Sequence, residues 1–573
     1  MEIDENLKEM FETNYLILQL PFPDDFLLEM CLRELIWGQP EPTPPGLKLP
    51  FLEIPVLKKS EKISMVCCIA GEKAMTDKKN KEALIAFTNG LRVAPASSKI
   101  IAHCYYYRAM VLSKLKAYPE SLSDIERALK LPISEEQKTS LSKRKKIVDL
   151  ILNESNKKSE ANKKSEENKK ERIQLSYGES EEIKGVSSAM ALAYNEEFGR
   201  HFVATRDIKI GDFLMIQSPL MWVKQRDSED DSKGKKWFCD FCLNSTINPV
   251  PCESCTYSLY CSLKCRSEAF EKYHKIECQI ANVRSPMGPQ TTLFLRTLLV
   301  ATKQGEDFQE VYNLMEKIKN CKDKRTSGFK DGKLNGDSAN AVLSLLHHMD
   351  KQQLSGIVHH SIQIVVALVK NTNFLKKKNP IDVHHLGNLL VFLSYIVHMN
   401  LYRIRRNSFN DSIAFGMYPV FNLLNHSCAC NTLSYDDKKR NKILRACKNI
   451  KKGEQIFVSY NTFQVIEMTV EERQKFMLQN KFFKCKCDIC VRNYKYKCEL
   501  KGVLKLPAHL KKKLRKKHND TEILWEVLKL VLNEYKHPSW EAKMIEWALV
   551  DAHLGNTNLT QGLSGVLRRL FGL

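Results

Sequence analysis

Between about residues 62 and 152 the apolar positions recur at the three-to-four spacing of a helix face, and two segments of that stretch align with each other. Gly71, Ala83, Phe87 and Pro95 hold in the first the places taken in the second by Ala109, Ser121, Ile125 and, approximately, Pro132. The repeat is about 34 to 38 residues long. Small residues at Gly71 and Ala109 let one helix approach its partner, Phe87 and Ile125 fill the gap, and proline ends the second helix. A further helix is predicted to start near Ser134-Glu135-Glu136-Gln137, where serine and glutamine have the spacing of a capping box. The pattern then stops. Residues 153–172 repeat Asn-Lys-Lys-Ser-Glu with little apolar content, which predicts a solvated linker or a frayed continuation of the preceding helix. Residues 184–225 and 412–462 carry short β-branched runs punctuated by Gly and Asn and predict strands. Residues from about 280 to 405 are mostly helical by pattern, interrupted near 322–336, and helical periodicity returns from about 507 to 553.

At 573 residues the chain exceeds one ordinary core, so three or four domains are expected. A hydrophobic fraction of 43% suits globular packing. The longest apolar stretches, 362–369 and 389–397, fall short of the roughly 18 residues that a membrane span requires, so no membrane association is expected. The opening Met1-Glu2-Ile3-Asp4 has neither a positive n-region nor an apolar h-region, so secretion is not expected and the thiols should be reduced. An excess of 89 Lys+Arg over 67 Asp+Glu gives +22, a field that favours acidic partners without choosing among them.

The cysteines change the picture most. Seven cysteines and one histidine run Cys239-x2-Cys242-x9-Cys252-x2-Cys255-x5-Cys261-x3-Cys265-x8-His274-x3-Cys278, enough ligands for two tetrahedral zinc sites. Spacing permits either a sequential or an interleaved pairing, and Cys261/Cys265 and His274/Cys278 are expected at i and i+4 on a helical stretch. The string resembles a MYND finger. That resemblance implies interleaving: Cys239, Cys242, Cys261 and Cys265 on one ion, Cys252, Cys255, His274 and Cys278 on the other. It also implies docking of proline-containing peptides or corepressors. No base-reading helix is visible, so sequence-specific nucleic-acid binding is not expected. Cys31, Cys67, Cys68, Cys104, Cys321, Cys430, Cys447 and Cys498 have no metal assignment and are expected to be small buried hydrophobes.

Three separated pieces carry a second resemblance. Gly199-Arg200 precedes Asp207-Ile208 and Gly211 in an apparent strand-turn-strand unit; Asn425-His426-Ser427-Cys428 is followed by Asn431; and Gly453-Glu454-Gln455-Ile456-Phe457-Val458-Ser459-Tyr460 comes later. They resemble a SET domain. With the finger between the first piece and the others, and with Met468-Thr469-x-Glu471-Glu472-Arg473 through Phe483-x-Cys485-x-Cys487-x2-Cys490, residues 184–490 resemble the SET and MYND domain family of protein lysine methyltransferases. The helical repeats ahead look like tetratricopeptide pairs, a feature of that family's long branch.

The resemblance implies S-adenosylmethionine as methyl donor, a lysine ε-amine on a protein as acceptor, and three zinc ions. Cys485, Cys487 and Cys490 supply three ligands, and the resemblance makes Cys428 the fourth. It places Tyr460 at the transferring methyl and Phe409 in the channel wall as catalytic positions. It assigns cofactor contacts to Gly199, Arg200, Asn407, Asn425, His426, Tyr460 and Phe483. Two positions depart from the family: His201 stands where a second glycine is usual, and Cys430 where proline precedes the last asparagine.

The expected fold class is therefore α+β and multidomain. An N-terminal extension (1–61) and tetratricopeptide-like repeats (62–152) lead through a charged linker (153–183) to the first SET part (184–238). The MYND finger (239–278) and a helical insert (279–405) precede the SET core (406–462), a post-SET zinc segment (463–490) and a short helical C-terminal region (491–573). The expected protein is a monomer of cytoplasm and nucleus, with a chaperone or other peptide at the repeats. The rival reading is a non-catalytic adaptor or corepressor scaffold.

Overall fold

The computed structural model describes residues 58–163, 173–225, 237–351, 355–405, 412–460, 468–496, 506–516, 520–535, 538–553 and 570–571. Its first helices are α1 (Glu61–Thr76), α2 (Asn80–Val93), α3 (Ile100–Lys114) and α4 (Tyr118–Leu129), packed α1 on α2 and α3 on α4. Gly71 is required by that packing: a Cβ there would stand 2.7 Å from the ring of the fully buried Phe87. In the second pair Ala109 takes the equivalent place, and Ser121 donates to its carbonyl at 2.8 Å. Ser134 and Gln137 exchange the two capping-box bonds, each 3.2 Å, at the head of α5 (Glu135–Lys163).

Two boundaries of the expected linker move. Helix α5 continues through 153–163, where Lys and Glu are good helix formers even without an apolar face. Residues 173–183 already belong to the sheet region, since the Ser176 N–H bonds the Phe213 carbonyl at 2.9 Å and Ile183 is buried.

The sheet region closes over a long sequence gap. Strands β1 (Met190–Asn195) and β2 (Gly199–Ala204) form a hairpin, followed by β3 (Phe213–Gln217) and β4 (Met221–Lys224). In the finger, β5 (Trp237–Phe238) pairs β6 (Ser245–Thr246), and β7 (Val250–Pro251) pairs β8 (Leu259–Tyr260) ahead of α6 (Leu263–Ala269). Then come α7 (Ala281–Ala301), α8 (Phe308–Lys319), α9 (Ala339–Leu343), α10 (Ser355–Asn371) and α11 (Pro380–Asn400). The insert expected to be helical to 405 ends instead in β9 (Leu401–Arg405), which pairs β10 (Ser412–Met417) with Ile404 turned into the core. β10 also pairs β4, with Gly416 opposite Trp222. After β11 (Asn425–His426), β12 (Thr432–Asp436) and β13 (Lys442–Ala446) extend to β3, with Leu444 opposite Met215. Strands β3 and β4 thus gain their partners only after some 200 residues of intervening chain, here folded into the finger and the helices.

Helix α11 is long and apolar enough to cross a membrane by length and composition, yet it is buried among α7, α8 and α10 in the same core as the sheets. A second core holds α12 (Val470–Lys481), α13 (Asp488–Val491), α14 (Ala508–Lys516), α15 (Thr521–Glu534) and α16 (Trp540–His553). It docks on the sheets through Arg445, held between the rings of Phe213 and Trp525, and through Tyr435, whose ring stacks on His553 at 3.7 Å. The helical repeats dock on the finger: buried Arg108 pairs with Asp124 at 2.6 Å and donates to the Pro249 carbonyl at 3.0 Å. Of the cysteines without a metal assignment, Cys68, Cys104, Cys430 and Cys447 are buried, Cys67 and Cys321 are half-buried, and Cys31 and Cys498 lie outside the described residues.

Candidate active site and zinc centres

Three ligand clusters form, each with its ligand atoms within 4.8 Å of one another. They are Cys239, Cys242, Cys261 and Cys265; Cys252, Cys255, His274 and Cys278; and Cys428, Cys485, Cys487 and Cys490. A tetrahedral zinc with sulfur at about 2.3 Å sets its sulfurs about 3.8 Å apart. Cys242–Cys261 and Cys261–Cys265 at 3.5 Å, Cys252–Cys278 at 3.7 Å and Cys428–Cys490 at 3.7 Å match that spacing. Two of the donor sets are all cysteine and one is three cysteines with a histidine, and none leaves an open position, so they fit three structural zinc ions.

Pairing in the finger is interleaved. The expectation that Cys261 and Cys265 share one helix face fails, because the Ser262 hydroxyl accepts the Cys265 N–H at 3.1 Å and starts α6 after Cys261. His274 ends a π-turn and Cys278 opens a 3-10 turn, so that pair also departs from a regular helix.

Sequence reasoning missed what holds His274. Its Nε2 faces Cys252 at 3.3 Å and Cys255 at 3.5 Å, which leaves Nδ1–H to donate to Glu277 at 2.8 Å. Glu277 in turn receives Arg296 Nε at 2.6 Å and Nη2 at 3.2 Å, while Arg296 Nη1 donates to the Trp222 carbonyl on β4 at 3.1 Å. All three side chains are buried, so a carboxylate orients the metal-facing imidazole and a guanidinium ties it to the sheet. The signal available beforehand was only Glu277, three residues past His274; Arg296 had none.

The candidate active site is built by β11 and β14 (Phe457–Val458), which run parallel with Asn425 opposite Phe457 and His426 opposite Val458. Tyr460 is fixed at both ends. Its N–H donates to His426 Nδ1 at 3.0 Å and its hydroxyl to the Leu424 carbonyl at 2.8 Å. With Nδ1 accepting, the His426 proton sits on Nε2, 3.2 Å from Cys428 Sγ, to which it donates. His426 therefore links the third metal cluster to the Tyr460 backbone, and burial pushes its pKa down to about 4, keeping the ring neutral. Both His426 ring nitrogens are engaged within the protein. Asn431 secures the same crossing, its Nδ2 donating to the Gln455 carbonyl and its Oδ1 accepting from Phe457 N–H, both at 2.8 Å.

Asn425 Nδ2 donates to the Phe198 carbonyl at 2.9 Å and so joins this crossing to the β1–β2 turn. There Gly199 has φ +61, a left-handed value that favours glycine, and faces open space. The Arg200 guanidinium donates to the Ser327 carbonyl at 2.7 Å and to the Ser344 carbonyl, so it braces the cavity wall. Asn425, His426, Gly199, Arg200, Tyr460 and Phe483 all line one cavity of about 1960 Å³, with the Phe483 ring 6.3 Å from that of His426. Lys481 enters it too, its ammonium 5.6 Å from the centre of the Tyr460 ring and 2.7 Å from the Met399 carbonyl. Asn407 and Phe409 lie outside the described residues. His201 does not line the cavity; its buried ring folds back, with Nδ1 2.9 Å from the Gly199 carbonyl.

This crossing of two short strands, buried between sheets, coincides with the region 199–461 that matches the family model of the SET domain. The mouse (Mus musculus) and human (Homo sapiens) proteins named protein-lysine N-methyltransferase SMYD4 are each 26% identical over 54% of this chain and 47% of their own length. Human histone-lysine N-methyltransferase SMYD3 is 24% identical over 51% of this chain and 59% of its own. The chain spans about half the length of the curated SMYD4 relatives it matches. With the ligand clusters and the cavity described, residues 199–461 match the SET domain family, and about half of the chain is similar to proteins named protein-lysine and histone-lysine N-methyltransferase.

Proposed function

We propose that the protein transfers the methyl group of S-adenosylmethionine to the ε-amine of lysines in other proteins. The observation that carries this reading is the shared cavity of Tyr460, Asn425 and Phe483, closed on one side by the Cys428 cluster. The names of the relatives support it.

The cofactor, when bound, supplies a methyl group on a positively charged sulfur. In the transfer the amine lone pair forms the nitrogen–carbon bond, the carbon–sulfur electron pair leaves with sulfur, and the nitrogen proton goes to water. What the chain must do is align the amine and favour its neutral form. The Tyr460 hydroxyl hydrogen is committed to the Leu424 carbonyl, so its oxygen faces the cavity as an acceptor for an amine N–H. Burial raises the Tyr460 pKa, which keeps the phenol protonated and rules it out as the base. Holding the amine at near-attack distance lowers the barrier by several kcal/mol. Asn425 and the Gly199 turn are the groups placed to hold the adenosyl and amino-acid parts.

In the same reading residues 239–278 are a MYND finger that takes proline-containing or corepressor peptides. The helices of 62–152 are tetratricopeptide repeats that take a chaperone or other peptide. The protein works as a monomer in cytoplasm and nucleus; the exposed lysines of α14 support import. Calorimetry of the purified chain should detect S-adenosylmethionine binding, and Tyr460→Phe should keep that binding while lowering labelled methyl transfer to lysine by about a hundredfold. Cofactor binding without any transfer by the unaltered protein would favour the adaptor instead.

A further inference from the structure

The cavity wall is unevenly charged. Among the described residues that line it are eleven lysines and arginines against five aspartates and glutamates. All five acids are engaged. Glu196 accepts from the Tyr194 hydroxyl at 3.0 Å and Glu454 from the Lys451 N–H at 3.0 Å. Glu197, Asp436 and Asp488 pair with Lys486, Lys442 and Arg492 at 3.5, 2.9 and 2.6 Å. The cations are not matched in return: among the described residues Lys324, Lys351, Lys448 and Lys484 have no carboxylate partner, and Lys481 reaches only a backbone carbonyl. A zinc ion in the Cys428 cluster would leave that centre with two negative charges, which Lys484 beside Cys485 offsets in part. Arg200 is held by backbone carbonyls and Arg403 lies over the Phe415 ring, and the rest of the surplus includes Lys324 and Lys351 from the helical insert, Lys448 behind β13, and Lys481 beside Tyr460.

We propose that the acceptor lysine arrives within an acidic segment of its protein, whose aspartates and glutamates face Lys324, Lys351 and Lys448 while the lysine extends toward Tyr460. This rests on the methyl-transfer reading above. A cleft lined by one sign of charge concentrates segments of the opposite sign and repels those of its own. A lysine flanked by further cations would meet repulsion along the whole wall. Beside Tyr460, the Lys481 ammonium disfavours a second ammonium, so an acceptor brought there by its acidic flanks is pressed to shed its proton.

The test uses the full chain and three peptides with one central lysine, flanked by Asp/Glu, by Ser/Gly or by Lys/Arg. Fluorescence anisotropy reads binding, and labelled S-adenosylmethionine reads transfer. The acidic peptide should bind about tenfold more tightly than the neutral one at about 50 mM salt, with the preference fading toward about 0.5 M. Lys324→Glu with Lys351→Glu, both exposed, should abolish that preference while calorimetric affinity for S-adenosylmethionine stays unchanged. Equal or tighter binding of the neutral or basic peptide, or a preference that survives both charge reversals, overturns the proposal. Preference for the acidic peptide without transfer to any peptide overturns the methyl-transfer reading rather than the charge preference.

Discussion

Glu277→Gln removes one charge and almost no volume from the finger's most buried polar group. Glu277 takes two bonds from Arg296, at 2.6 and 3.2 Å, and one from His274 Nδ1 at 2.8 Å. A glutamine keeps one acceptor and turns an amide donor toward either the guanidinium or the imidazole N–H, neither of which can accept it. Leaving a buried guanidinium uncompensated costs about 3 to 5 kcal/mol. The Trp222 carbonyl at 3.1 Å and the Tyr273 ring at 4.2 Å still face Arg296, so a loss of about 2 to 4 kcal/mol is expected. His274 also loses the carboxylate that fixes its tautomer, which lowers zinc affinity about 10- to 100-fold. Unfolding of so large a chain is not two-state, so zinc release to a chromogenic chelator is the primary assay. One of three zincs should leave faster than in the parent protein. Glu277→Leu with Arg296→Met removes both charges and should recover most of the stability without restoring zinc retention. Parent-like release of all zinc from Glu277→Gln would refute the carboxylate's role as orienter, and full zinc retention in the double variant would reduce that role to charge balance.

Cys428→Ser should lower the zinc content measured by mass spectrometry from three to two per chain and loosen the His426–Tyr460 link, so methyl transfer falls together with metal content. Burial holds the Lys481 ammonium down at about 8, against an ordinary value of 10.5. Between those values the unfolded chain binds more protons than the folded one, so the Lys481 contribution to stability rises with pH over that window and is a full cost below it. Lys481→Met should therefore raise the apparent thermal midpoint at pH 7 and flatten its rise between pH 8 and about 10, read by scanning fluorimetry at each pH.

Local chemistry was legible in the sequence where it follows from spacing. The repeat of small and large residues at Gly71, Phe87, Ala109 and Ile125 announced helix pairs, because a missing Cβ and the ring that fills its place are both visible in composition. The Cys-x2-Cys pairs announced metal ligands, but their spacing did not decide which pairs share an ion. Long-range partnerships carried no such mark. Nothing near Arg200 says that its guanidinium braces the carbonyls of Ser327 and Ser344, and nothing near Arg296 says that it answers Glu277. The charged stretch 153–163 reads as a solvated linker or a continuation of the preceding helix, and the helix continues through it, because burial is not needed for a helix already propagating. Strand β9 was hidden because 401–405 follows directly on a helix of similar apolar content.

The three metal clusters do not bear on the cavity equally. The cluster of Cys252, Cys255, His274 and Cys278 reaches the sheets through Glu277 and Arg296 to the Trp222 carbonyl on β4, and β4 pairs β10 beside β9. That path reaches the cavity through β9, whose Leu401, Tyr402 and Arg403 line its wall. The Cys428 cluster is different in kind. One sulfur lies two residues from His426 and accepts its Nε2–H, while the other imidazole nitrogen receives the Tyr460 N–H. Reverse that proton, and the Nδ1–H would meet the Tyr460 N–H, two donors face to face in a buried crossing. The Tyr460 N–H alone requires an accepting Nδ1, and a metal-held thiolate at Cys428, a stronger acceptor than a thiol, would reinforce that tautomer by taking the Nε2–H. Of the three clusters, the one at Cys428 is thus the one whose metal would bear on the His426–Tyr460 link, and with it on the position of the phenol oxygen.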